Sequence, residues 1–374
     1  LLRGGGGAGP FGGPAPRSGR SSPIERSGGM MYSPKKMEAL LRLYSLVSLF
    51  GSGVKNFLYQ KGLLAARRAP LAVVSVGNIG LGGTGKTPLA IELLGWLAAN
   101  GRRPALVSRG YRGRWEHRGG TLSDGRRLLG TWQDGGDEPY MIAKALPDVG
   151  VFVGRDRLAS CRTAGELGFD AAVLDDGFQH RRLARDLDIV VYSPTWRGAL
   201  RESPSGLRRA DVILVERREM PSCGGIELPP GAPSPVPYDV VSRGFRDAAS
   251  GQPVPADDLR GERLLAFCGI ARPGRFREQL RTEGVEVVSF LTFPDHYAYP
   301  ETSIGKVMGA ARSAGARTAV TTAKDAVKLV DRNGPLRHLR VIVLEIGLEI
   351  DPLFFTLLEG RLGRIPGDQC LEKP

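Results

Sequence analysis

The feature that most restricts this chain is the stretch Val73–Leu89, V-V-S-V-G-N-I-G-L-G-G-T-G-K-T-P-L. Within it Gly80, Leu81, Gly82, Gly83, Thr84, Gly85, Lys86 and Thr87 satisfy G-x-x-x-x-G-K-[ST], the phosphate-binding P-loop. Flanking sequence gives the motif its meaning. Leu71–Val76 is a short β-branched run with the character of a buried strand, and Pro88–Ala99 places apolar residues at helical spacing. Strand, glycine loop and helix are the order in which backbone N–H groups and a helix N-terminus come to face phosphate oxygens. Lys86 is then expected to reach the β- and γ-phosphates, with the Thr87 hydroxyl toward Mg²⁺. A glycine-rich turn with an incidental Lys-Thr is the alternative, and the flanking elements argue against it.

The pattern from 69 to 220 alternates strand and helix, which predicts a P-loop-type α/β domain with a largely parallel sheet. Strands are expected at 104–108, 149–153, 170–174, 187–192 and 211–215. A long polar loop precedes Gly136-Asp137-Glu138-Pro139, where a helix should begin. In such sheets ligands gather at the carboxyl ends of strands. Those ends carry the P-loop, Arg109 and Arg112, Arg155 and Arg157, and the pair Asp175 and Asp176. Asp175 and Asp176 follow an apolar strand, where a Walker-B carboxylate holds or orients Mg²⁺; a turn or helix cap is the competing role. Taken alone, Asp137-Glu138-Pro139 reads as an ordinary helix start.

Residues 221–260, rich in Pro, Gly and Ser, read as a linker, and 261–374 as a second, smaller α/β unit. Strands are expected there at 263–269, 285–290, 318–322 and 341–345, with helices at 272–283 and 302–314. At the other end, residues 1–36 form a Gly/Pro/Arg-rich head with little to bury, so its first 29 residues are expected to be disordered. The sequence opens on Leu; Met30, Met31 and Met37 are plausible starts, and the terminus has no secretory-signal pattern. Leu40, Tyr44, Val47, Phe50, Val54 and Phe57 recur at helical spacing within 37–68. That segment is either an amphipathic helix lying on a membrane or one packed on the protein's own core.

A net charge of +13 calls for an anionic partner. Aromatic residues make up only 7% and no helix-turn-helix or RNA-binding pattern occurs, which argues against nucleic acid. The four cysteines are scattered without C-x-x-C spacing, against a disulfide scaffold or zinc site. No obligate protein partner is inferred. A P-loop ATPase or GTPase that switches partners without an acceptor remains a rival reading from these features alone.

The ordered set of motifs resembles one family. V-G-N-x(3)-G-G-T-G-K-T-P (Val76–Pro88), S-R-G-Y (Ser108–Tyr111), G-D-E-P (Gly136–Pro139) and D-D-G-F-Q-H (Asp175–His180) are followed by A-F-C-G-I-A-x-P (Ala266–Pro273), F-P-D-H-Y (Phe293–Tyr297) and K-D-A-V-K-L (Lys324–Leu329). Together they resemble the tetraacyldisaccharide 4'-kinases, the lipid A kinases of Gram-negative bacteria, with Ala323 where that family usually shows Glu. The resemblance implies transfer of the ATP γ-phosphoryl group to the 4'-hydroxyl of a tetraacyldisaccharide 1-phosphate. It further implies a peripheral location on the cytoplasmic face of the bacterial inner membrane, where the anionic surface and the substrate phosphate match the basic charge. Carried onto this chain, it implies Asp137 as general base, with His296 supporting it or binding the metal, and Glu138 as a metal ligand beside Thr87, Asp175 and Asp176. The 1-phosphate is expected at Arg109, Arg112, Arg155 and Arg157, with ATP and Mg²⁺ as the cofactors.

Overall fold

The P-loop strand is apolar on both faces, as a strand covered by helices on both sides must be, and all six of its residues are buried. In a computed structural model, residues 34–80, 85–194, 199–220, 226, 228–329 and 335–363 are described, with side chains from Leu43 onward except those of Pro335 and Arg337. The expected disorder at 1–29, and the P-loop residues Leu81, Gly82, Gly83 and Thr84, lie outside the described residues.

In chain order the elements begin with α1 (Pro34–Gln60), β1 (Ala72–Gly77), α2 (Lys86–Ala99), β2 (Pro104–Ser108), β3 (Gly120–Asp124), α3 (Trp132–Gly135) and α4 (Asp137–Ala145). They continue with β4 (Gly150–Val153), α5 (Arg157–Glu166), β5 (Ala171–Asp175), β6 (Leu187–Tyr192), β7 (Val212–Glu216), β8 (Pro235–Asp247) and β9 (Pro253–Val254). Last come α6 (Ala256–Leu259), β10 (Leu264–Cys268), α7 (Pro273–Thr282), β11 (Val287–Thr292), α8 (Glu301–Ala314), β12 (Thr318–Thr322), α9 (Ala323–Ala326), β13 (Arg340–Ile350) and α10 (Leu353–Leu362). The chain divides into two compact units, Leu1–Leu40 and Leu41–Pro374, and the site described below lies wholly in the second.

The strands form one sheet, in the order β11-β10-β12-β13-β8-β7-β6-β1-β5-β2-β4-β3, with β9 on β8. Most neighbours are parallel; β3–β4, β8–β13 and β8–β9 are antiparallel. Alternate residues feed opposite cores. Val74 and Val76 pack with Leu89 and Leu93 of α2 and Phe354 of α10, while Val73 joins Leu158 and Cys161 of α5. The second half repeats the arrangement, with Phe276 of α7 in one cluster and Ile304 of α8 in another.

The segment read as a linker, 221–260, needs correction. It contains β8, a strand of 13 residues that pairs with β7 on one side and β13 on the other. Pro235 and Pro237 obscure it, yet Val236 and Tyr238 alternate into the core as strand residues do. The sheet is therefore continuous from the P-loop half into the second. The long polar loop before Gly136 likewise holds β3 and α3, too short and polar for periodicity to register.

Helix α1 is oriented against habit. Leu46, Val47, Phe50 and Phe57 are 66%, 66%, 77% and 54% exposed. Its polar side makes the contacts with the body: Asn56 Nδ2 donates to Glu202, Lys55 Nζ to the Gln179 carbonyl at 2.7 Å, and Arg181 to Asn56 Oδ1 at 3.1 Å. The alternative that this apolar stripe packs on the protein's own core fails for these residues. Among the described residues no helix is long and apolar enough to cross a membrane.

Candidate active site

β1 and β5 are adjacent and in register, so the P-loop and the Asp175–Asp176 turn leave the sheet side by side. Gly85, at φ +81°, caps α2 in a left-handed conformation that a side chain would strain, and delivers Lys86 and Thr87 as the first residues of the helix. Lys86 Nζ bonds Asp176 Oδ1 at 2.7 Å and Asn78 Oδ1 at 3.1 Å. Asp176 also pairs with Arg201, a residue no sequence pattern singled out. Burial raises the Asp176 carboxyl, but Lys86 and Arg201 outweigh it and hold the group well below the usual carboxylate range.

Asp175 is different. Its Oδ2 accepts from Ser108 Oγ at 3.2 Å, while Oδ1 is buried without a hydrogen-bond partner among the described residues. Burial, together with repulsion from Glu138 and Asp176, pushes its carboxyl up to about 6. An orphaned buried carboxylate oxygen costs free energy unless something arrives to meet it.

Asp137 enters through Gly136, whose φ of +89° again requires glycine. Gly136 is the cap; Asp137 is the first residue of α4, and its side chain is turned elsewhere. His296 Nδ1 lies 2.9 and 3.0 Å from its two oxygens, the Glu138 N–H donates at 2.9 Å, and Lys328 Nζ at 3.4 Å. Burial raises the Asp137 carboxyl, but the His296 hydrogen bond and the charges of Lys324 and Lys328 prevail and hold it at about 2. The helix does start here, with both acidic residues in its first turn, though Gly136 and not Asp137 is its cap; to that role the fold adds a carboxylate–imidazole pair spanning 159 residues of sequence.

Glu138 bridges the two sides. Its Oε2 accepts from Thr87 Oγ1 at 3.2 Å and its Oε1 from Lys324 Nζ at 2.8 Å. Lys324 also reaches Asp295 Oδ1 at 3.0 Å and His296 Nε2 at 3.2 Å. Because an ammonium can only donate, His296 Nε2 is the acceptor and Nδ1 carries the proton given to Asp137. Ligand atoms of Asp137, Glu138 and His296 lie within 4.8 Å of one another, a spacing compatible with a metal ion. The Lys324 ammonium engages two members of that trio.

These groups open into one cleft of ≈1450 Å³, which also takes in Tyr44, Ser48 and Lys55 of α1. Arg109, Arg112, Arg155 and Arg157 all line it. Arg109 pairs with Glu116 at 2.6 Å, Arg112 sits 5.4 Å from the Tyr111 ring, and Arg155 is exposed. Arg157 is 5% exposed, donates to the Gly154 carbonyl at 2.9 Å and leaves Nε without a hydrogen-bond partner among the described residues. Among the described residues, Asp176 and His296 are two of four non-glycine residues with positive φ, strain of the kind that accumulates at functional sites. Lys324 and Lys328 stand in the K-D-A-V-K-L motif, which carried no role in the sequence; only the fold brings them to Asp137 and Glu138.

A family model described as tetraacyldisaccharide-1-P 4'-kinase matches residues 37–363. The chain is similar to a tetraacyldisaccharide 4'-kinase of Anaeromyxobacter sp. (strain Fw109-5), 42% identical over 300 residues, 75% of this chain and 79% of that one. It is similar also to one from Syntrophus aciditrophicus (strain SB), 38% identical over 313 residues, 78% of this chain and 84% of that one. Among solved structures it is similar to the "apo" form of LpxK from Aquifex aeolicus in complex with ATP. That likeness has a TM-score of 0.69 at 30% identity and covers 86% of this chain and 98% of that one.

Proposed function

Because the chain belongs to the tetraacyldisaccharide-1-P 4'-kinase family, and is thereby an ATP-dependent kinase of lipid A biosynthesis, we propose that Asp137, His296 and Lys86 carry its catalysis. The observation that supports this is the meeting, in one cleft, of a P-loop lysine with a carboxylate–imidazole pair. The reaction moves the γ-phosphoryl group of ATP to the 4'-hydroxyl of a tetraacyldisaccharide 1-phosphate. The 4'-oxygen forms its bond to the γ-phosphorus as the bond to the β,γ-bridging oxygen breaks, that electron pair leaving with ADP. Asp137, ionised at neutral pH, takes the hydroxyl proton, and His296 holds its orientation. Lys86 exchanges Asp176 for phosphate oxygens and neutralises the charge that develops there.

Thr87, Glu138, Asp175 and Asp176 offer only oxygen donors, the set a hard divalent cation prefers, and the orphaned Asp175 Oδ1 suits such an ion. Mg²⁺ held there would neutralise phosphate charge during transfer. Arg109, Arg112, Arg155 and Arg157 form the basic wall against which the acceptor's 1-phosphate would rest. The outward apolar stripe of α1 supports docking on an anionic membrane surface, at the cytoplasmic face of the inner membrane, where the acyl chains of the acceptor reside. The decisive assay is ATP consumption with and without tetraacyldisaccharide 1-phosphate, with the product's new phosphate located on the 4'-oxygen. Hydrolysis indifferent to the acceptor would overturn the reading. For the membrane, Phe50→Ser is expected to melt like the parent yet sediment less with anionic vesicles; equal sedimentation removes α1 as the docking element.

A further inference from the structure

The K-D-A-V-K-L motif contributes two lysines to the site, and their surroundings separate them. Lys328 is 1% exposed and locked between Asp325 at 3.1 Å and Asp137 at 3.4 Å, a charge with no route to a ligand. Lys324 is 14% exposed, the same as P-loop Lys86, and lines the cleft. Resting on the kinase reading above, we infer that Lys324 is a second phosphate-directed cation, touching the γ-phosphoryl oxygens in flight.

Its three partners define where its charge acts. Glu138, which accepts from Lys324 through Oε1, uses Oε2 for Thr87 Oγ1, the hydroxyl beside the phosphate cradle. His296, which accepts from Lys324 through Nε2, uses Nδ1 for Asp137, the group beside the attacking hydroxyl. The ammonium therefore stands one carboxylate from the donor end of the transfer and one imidazole from the acceptor end. The γ-phosphorus has to travel between those ends, and its equatorial oxygens carry the charge of the transition state. Lys86 has a separate set of partners, Asp176 and Asn78.

The root of Lys324 is rigid, and its ammonium sits at the end of a four-carbon stem. Asp325, its sequence neighbour, is completely buried and accepts from Thr322 Oγ1 at 2.7 Å and the Gly269 N–H at 2.9 Å. A four-carbon flexible side chain on a pinned backbone can exchange Asp295 and Glu138 for a phosphoryl oxygen without moving α9. No covalent bond to Lys324 forms or breaks; it donates hydrogen bonds to the migrating group and returns to the carboxylates when product leaves.

Lys324→Met keeps most of the length and removes the charge. Turnover is expected to fall roughly 10²- to 10³-fold, with affinity for ADP within about twofold of the parent's. The discriminating probe is ADP with aluminium fluoride, which mimics the planar phosphoryl group. Lys324→Met is expected to lose roughly tenfold or more of the parent's affinity for it, whereas a residue that only holds Glu138 and His296 in place would leave that affinity intact. Turnover within about threefold of the parent, or lost turnover with parental fluoride-complex affinity, overturns the inference. Should Lys324→Met fail to fold, Lys324→Gln, which retains a donor for Glu138, is read by the same measurements. The parent is assayed alongside: if it turns over with the acceptor and the variant does equally, the role of Lys324 falls alone. If the parent shows no acceptor-dependent turnover, the kinase reading beneath it falls.

Discussion

The two sides of the cleft are built on different physical plans. On the P-loop side, charges stand at the carboxyl ends of adjacent parallel strands, and their present partners are replaceable. Lys86 is tied to Asp176 and Asn78, and the Asp175 Oδ1 faces no donor among the described residues. On the far side, Asp325, Lys328, Asp137 and His296 form a chain of ion-paired groups that are mostly buried, with Asp325 Oδ1 held by the Lys328 charge at 3.1 Å and not by a hydrogen bond among the described residues. If the proposed roles hold, the side that would admit a triphosphate keeps exchangeable partners, while the side that would aim a base keeps fixed ion pairs.

That contrast can be broken most sharply at Asp137. Asp137→Asn keeps shape but removes the proton acceptor, so turnover should drop roughly 10²- to 10⁴-fold while ATP affinity stays near the parent's. Retained activity in a steady-state assay would move the base to Asp175 or Asp176. Next comes Lys328→Met, which leaves Asp325 and Asp137 short of a buried counter-charge. A stability loss of about 3–5 kcal/mol is expected, read as a lower denaturant midpoint with an unchanged slope. If the variant unfolds like the parent, the far side is not a structural relay.

Lys86→Ala supplies the opposite result. Turnover should fall roughly 10²-fold or more with little change in melting, because the side chain bonds Asp176 and Asn78 at the cleft and is not part of the apolar core. A variant that loses its fold would show that both sides are built alike. The smallest effect is with pH. Asp137 is depressed from its ordinary 3.8 to about 2, so the unfolded chain takes up the proton first as the solution is acidified. Its contribution is complete above about pH 4 and disappears as pH falls toward 2. Denaturant midpoints across that window should slope less steeply in Asp137→Asn; equal slopes would mean the charges around Asp137 do not stabilise the fold.

Much of the fold was legible in the sequence because the signals were local. Short apolar runs announced β1, β2, β5 and β6, and the P-loop needed only its own neighbours in sequence. The Asp175–Asp176 turn was legible for the same reason, lying at the end of an apolar strand. β8 was not, since prolines at 235 and 237 imitate a linker when the paired strands on either side are out of view. β3 and α3 were too short and polar to produce a period.

By itself, then, the sequence determined the P-loop motif, the alternating α/β order and, through the succession of motifs, the family. Those depend on interactions within a few residues, or on residue identity alone. Tertiary structure decided the rest. It made Asp137, the first residue of α4, the partner of His296, placed Lys324 on Glu138 across 186 positions, and brought Arg201 to Asp176. It also decided which side of α1 stays bare, because helical spacing identifies an apolar stripe but not what lies against it. Contacts of that separation are set by how strands order themselves in the sheet, and no local pattern of residues encodes that order.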